Sequence, residues 1–159
     1  MNARRIAAGL AALAIPTLPA VAQNQPISAK GHWHVDFARS FDPWAPHPKS
    51  VVLNVIVDDG RTYESTETIV GTDGKERTET IRATYDGKPY TVEGSASGVT
   101  VAMTRLADGF SRAELDTPDG FHALIKCSLS VDLSTMTCDE TDTDPKGVSK
   151  PSRSVYVRD

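Results

Sequence analysis

The chain has little of what most function classes need. Its 159 residues include only two cysteines, and neither lies in a C-x-x-C or C-x-x-C-H, so a thiol redox pair and covalent heme attachment have no motif to use. No G-x-S-x-G elbow, H-E-x-x-H or G-x-G-x-x-G occurs. Gly-Lys appears only at 74–75 and 87–88, inside turns, without the glycine-rich strand-to-helix context that cradles phosphate. A basic excess is also missing: 17 Lys and Arg stand against 21 Asp and Glu, which excludes an overall positive field for nucleic acid or anionic lipid. The longest apolar run, residues 6–18, is broken by Pro16 and too short for a permanent membrane anchor. Beyond residue 22 no long stretch has helical periodicity; the only helical candidates are short, at 36–40 and 147–150.

Residues 1–22 carry Arg4 and Arg5, an apolar stretch and a small-x-small ending at Ala20-Val21-Ala22, the layout of an exported signal peptide. Counting from Gln23 leaves 137 residues, and loss of the two arginines takes the net charge from −4 to −6. That length holds one domain. The expected organisation is a signal peptide at 1–22, a flexible segment at 23–30 and a single domain at 31–159, located in the periplasm or secreted.

Cysteine usage agrees with export. Cys127 and Cys138 flank two alternating runs, 123–130 and 135–141, and a hairpin centred between Asp132 and Leu133 sets the two cysteines opposite one another. The reading is a cross-strand disulfide; two buried free thiols are the alternative. Its short loop corresponds to about 2.5 to 3 kcal/mol in the chain-entropy model.

Turn signals recur every eight to twelve residues, and between them the apolar period is two. Asp59-Gly60, Asp73-Gly74, Asp86-Gly87, Asp108-Gly109 and Asp119-Gly120 punctuate the runs. Expected strands are 32–37, 51–57, 61–70, 76–85, 90–93, 99–105, 110–117, 121–130, 135–141 and 154–158. Nearly every connection is a tight hairpin, whereas parallel pairing needs long crossovers. The predicted fold class is therefore all-β: an antiparallel up-and-down barrel of about 8 to 10 strands with little helix.

Three blocks carry a resemblance: GHWHVDFARS at 31–40, ATYDGKPYTVEG at 83–94 and SVDLSTMTCDETDTDPKG at 130–147. They resemble a family of small exported bacterial proteins of lipocalin-like β-barrel type, largely uncharacterised. The resemblance covers most of residues 31–158 and implies a calycin-type barrel whose first-strand tryptophan, here Trp33, packs at the barrel bottom. It implies little about activity, because the shared motifs are chiefly turns. Asp132-Leu133 stands where many relatives have Asp-Gly, which suggests a hairpin braced by the cysteine pair.

Candidate site residues follow from strand parity. Bottom packing by Trp33 is set against ligand stacking. The proline-rich connection at 41–50 is read as a lid at the barrel mouth, with Phe41 and Trp44 at the entrance, or as a loop that merely covers apolar surface. His32 and His34 share one strand face and are candidate metal ligands that lack a third partner, for which His47 or His122 would have to approach; an inward Trp33 turns both histidines outward. Glu64, Arg82, Tyr90, Arg105, Arg112 and Glu114 are further strand residues suited to acid–base chemistry. On 61–85 the polar face of Thr62, Glu64, Thr66 and Thr68 is taken as outer. Tyr63, Ser65, Glu67 and Ile69 then face inward beside Glu79, Ile81, Ala83 and Tyr85, with Glu67 and Glu79 as cross-strand neighbours; the alternative is a solvated pair at the rim, since a one-residue bulge turns either carboxylate outward. Glu67, Glu79 and Tyr85 are the catalytic candidates; Phe41, Trp44, Tyr63 and Tyr85 are the ligand-binding candidates. The acidic run 139–144 is read as a solvated strand end, with a calcium loop as its alternative.

The function these features favour is binding of a small, partly apolar molecule in a cup-shaped cavity, without a cofactor. One alternative is a cofactor-independent exported lyase, isomerase or cyclase using Glu, Arg, Tyr or His inside the barrel. Another is an envelope interaction or inhibitor domain with a filled barrel. The expected partners are a small-molecule ligand or substrate, with no nucleic acid and no membrane anchor, in a monomer or dimer.

Overall fold

The computed structural model describes residues 27–43 and 46–159; the signal-peptide reading and Trp44 lie outside the described residues. Ten strands follow one another: β1 (Gly31–Val35), β2 (Ser50–Asp58), β3 (Thr62–Val70), β4 (Glu76–Thr84), β5 (Asp86–Thr91), β6 (Thr100–Ala107), β7 (Phe110–Asp116), β8 (His122–Leu129), β9 (Thr135–Thr143) and β10 (Ser149–Arg158). They form one antiparallel sheet in the order β4-β3-β2-β1-β10-β9-β8-β7-β6-β5, so sequence neighbours pair except β4 and β5, which form the two edges, and β1 pairs with β10. Among the described residues there is no helix, and none therefore long and apolar enough to cross a membrane.

The turns are built by aspartate. Asp59, Asp73, Asp86, Asp132 and Asp144 each accept the backbone N–H two residues on, at 2.9 to 3.1 Å, and so hold the chain reversal before the next strand starts. At the β8–β9 turn Leu133 takes φ of 59°, keeping the left-handed backbone that glycine would adopt freely. The register there puts Cys127 opposite Cys138, and the two are disulfide-bonded.

The sheet curls until its two edges meet. β4 and the residues after β5 share one bridge, in which Thr80 and Glu93 exchange backbone hydrogen bonds of 2.8 and 2.9 Å. Gly94 makes this approach possible: its φ is +81°, and a Cβ there would sit 2.1 Å from the Thr78 carbonyl oxygen. Outside the seam, Arg82 donates to Glu64 on β3 at 3.0 Å and to Glu93 at 2.8 Å. The result is a nearly closed barrel, an architecture consistent with the calycin type.

Three local expectations differ. The helical candidate at 36–40 is a single turn, with Ser40 N–H bonded to the Asp36 carbonyl at 3.0 Å. That at 147–150 is a hairpin turn leading into β10, which starts at Ser149, earlier than expected. Pro151 within it is exposed, and the run pairs with β9 on either side of the proline. β5 begins at Asp86, taking in the residues read as a turn.

Two apolar clusters line opposite parts of the wall. One gathers Trp33, Leu53, Val55, Met136 and Cys138 with Ala29; the other gathers Ala83, Val92, Val99, Val101 and Met103. Tyr63 packs against both. This division matters because it leaves space between the walls.

Candidate functional site

A cavity of about 480 Å³ runs between the two clusters. One end is covered by the chain's own N-terminal segment. Ala29 is buried, its N–H donates to Asp58 Oδ2 at 2.6 Å, and the Ile27 side chain lies beside Gly109 in the β6–β7 turn. Ile27–Ala29 thus crosses from β2 to β6–β7 at the barrel floor. Trp33 completes that floor: it is wholly buried, its Nε1 donates to the Ala29 carbonyl at 2.8 Å, and the Arg158 guanidinium lies 4.3 Å from the ring centre. Arg158 also donates to the Leu133 and Lys30 carbonyls, both at 2.8 Å, which ties β10 to the β8–β9 turn and to β1.

Just above the floor sits a fully engaged charge pair. The Asp58 side chain is 2% exposed and accepts from Arg105 at 2.8 Å and from the Tyr85 hydroxyl at 3.0 Å. Arg105 also donates to the Ile27 carbonyl. Burial, followed by the Asp58 charge, pushes the Tyr85 hydroxyl far above the ordinary phenol range. Asp58 reaches the interior through a β-bulge: the β2–β3 register shifts between Val55 and Val57, so alternation running through Leu53 and Val55 continues inward at 58 instead of 57.

The opposite end is bordered by the β1–β2 connection, which contributes Asp42, His47 and Pro48 to the lining. Here the acids have weaker company. Glu67 and Glu79 are directly opposite on β3 and β4, and Arg77 Nε lies 3.3 Å from Glu79. Glu67 accepts from the Tyr156 hydroxyl at 3.1 Å, and Glu140 from the Ser154 hydroxyl at 2.9 Å. Asp142, also buried, accepts from Ser152 at 2.6 Å. Burial raises Glu67, with the Glu79 charge adding to it, and carries Glu140 up to about 7, helped by the neighbouring charges of Asp142, Glu67 and Asp42. Burial likewise raises Asp142 and holds Tyr156 well above the phenol range.

The expected inward face of β3 and β4 is the one found. Tyr63, Ser65, Glu67, Ile69, Glu79, Ile81 and Tyr85 line the cavity, and Ala83 is buried in the second cluster. The catalytic candidates are split: Glu67 and Glu79 adjoin, whereas Tyr85 is near the floor on Asp58. Tyr63 and Tyr85 meet edge to face with ring centres 6.2 Å apart, and burial raises Tyr63 to about 12. Phe41 is 55% exposed and borders a smaller recess beside the mouth, shared with Glu140 and Asp142.

Of the histidine candidates, His47 alone lines the cavity. His32 and His34 are exposed, with His34 Nδ1 2.8 Å from Asp159; His122 pairs with Asp116 at 2.8 Å, and His47 meets Phe37. Among the described residues, no group of three or more His, Cys, Asp and Glu is arranged to hold a metal ion. Glu64 with Arg82 and Arg112 with Glu114 form pairs away from the cavity, and Tyr90 bonds Thr84 at 2.6 Å.

The acidic run 139–144 divides by parity. Asp139 turns out to Arg153, Glu140 and Asp142 turn in, and Asp144 caps the β9–β10 turn. The reading of a solvated strand end therefore fails at Glu140 and Asp142. Counting by twos from Cys138 would have found both residues; the bulge that turns Asp58 inward has no such signal.

The chain matches no family model and no curated protein.

Proposed function

We propose that this barrel binds a small, partly apolar molecule in its interior, and that it does so in the periplasm or outside the cell, after removal of the leader read at 1–22. The observation that carries the reading is the cavity. About 480 Å³ lies between two apolar clusters, within the range of small-molecule sites, and a few hydroxyls and carboxyls from strands distant in sequence converge on it. The space suits a cup better than a plugged barrel used only for its outer loops. Ile27–Ala29 and Trp33 cross the floor, so entry is assigned to the end bordered by the β1–β2 connection.

The test is saturable binding of the neutral fluorophore N-phenyl-1-naphthylamine, paired with Ala113→Phe. Ala113 lines the cavity from β7, so the added ring occupies the ligand's space. The expected result is a saturable fluorescence rise with the parent protein and its loss in a variant whose circular dichroism is unchanged. Equal binding by parent and variant, or none by the parent, contradicts the reading. A molecule co-purified with the protein and chemically changed by it would instead support a cofactor-independent enzyme, with Glu140 as its acid–base group.

A further inference from the structure

The charges facing the cavity do not balance where the ligand would lie. Arg105 is committed to Asp58 and to the Ile27 carbonyl, and Arg77 reaches Glu79. The Arg153 guanidinium is drawn to the outer face by Asp139, 2.6 Å away. Glu67 and Glu140 are hydrogen-bonded by neutral hydroxyls, those of Tyr156 and Ser154. A hydroxyl satisfies one lone pair of a carboxylate but supplies no countercharge, and a buried charge without one is strongly disfavoured. Of the other lining residues, Tyr63, Tyr156, Ile69, Leu53 and Met136 are apolar or aromatic, and Ser40, Ser65, Ser111 and Ser128 add only neutral hydroxyls.

We infer that the ligand of this cavity is an amine: a protonated ammonium group placed between Glu67 and Glu140, carried on an apolar body that fills the space between the two clusters. The inference rests on the binding reading above and adds the ligand's chemical class. An ammonium provides three donors and the missing positive charge. A carboxylate ligand would meet two like charges, and a neutral alcohol would leave the imbalance in place.

Three ligands of one chain length separate these cases. Decylamine, 1-decanol and decanoate are titrated at pH 8 against bound N-phenyl-1-naphthylamine. Decylamine should displace the probe at a concentration about tenfold or more below that of decanol, with decanoate the weakest, a ratio set by more than about 1.4 kcal/mol of differential binding. In Glu67→Gln combined with Glu140→Gln, the ratio of decanol to decylamine concentration needed for displacement should fall to about one. If the double variant does not fold, Glu140→Gln alone should reduce the preference. Equal displacement by amine and alcohol, or strongest displacement by decanoate, overturns the inference and leaves the cavity reading standing. Failure of the probe and all three compounds to bind removes both.

Discussion

Asp58 and Glu140 are both interior carboxyls of the same barrel, and they are handled in opposite ways. Asp58, near the floor, accepts from a guanidinium, a phenol and a backbone N–H. Glu140, toward the mouth, accepts from one serine hydroxyl, and burial lifts it to about 7. The difference separates construction from use. At the floor the charges hold the N-terminal segment across the barrel, so each is satisfied within the chain. Toward the mouth the satisfaction is incomplete, as in a site that takes part of its hydrogen bonding and charge from a ligand.

The largest effect expected from breaking the comparison is at the floor. Arg105→Met leaves the Asp58 carboxylate buried without its cation and should lower unfolding stability by about 3 kcal/mol or more. Adding Asp58→Asn should recover part of that loss, because the stranded charge is then gone. Urea unfolding of parent, single and double variants measures this. A single-variant loss within experimental error would mean that the floor pair is no better satisfied than the mouth acids.

The mouth should respond with the opposite sign. Glu140 binds its proton more tightly folded than unfolded, so between its unfolded value near 4.5 and its folded value near 7 the native state holds more protons. Stability from this group therefore falls as pH rises through that window and levels off above it. Glu67 and Asp142, also raised, act in the same direction. Glu140→Gln should remove its share of the slope and leave the variant more stable than the parent at pH 8, by about 1 to 2 kcal/mol. Urea midpoints at pH 5 and pH 8 check it; a variant less stable than the parent at pH 8 would show that Glu140 is a structural acid like Asp58.

How much of this was legible in the sequence differs along the same axis. The barrel and the cysteine pairing follow from a period of two between Asp-Gly turns, whereas the inward face of β3 and β4 stayed open in the sequence, because a one-residue slip or bulge moves every side chain to the other face. Glu67 opposite Glu79 is a direct product of that register. Asp58 was hidden, since one extra residue in β2 reverses its face and the Asp59-Gly60 turn beside it draws the eye to the hairpin. Glu140 and Asp142 were hidden differently. Their alternation was readable, but six consecutive acidic or threonine residues look like solvent-facing chain, and only the position of Cys138 on the inner wall shows where they point. The partners of Asp58 and Glu67 are tertiary: Asp58 with Arg105 and Glu67 with Tyr156 join residues 47 and 89 positions apart.

Carbon-13 NMR titration of the Glu140 side-chain carboxyl, without ligand and with saturating decylamine, tests the central claim most directly. A midpoint near 7 in the free protein, moving down when the amine binds, is the predicted result. A midpoint near the ordinary 4.5 that does not respond to decylamine would contradict it.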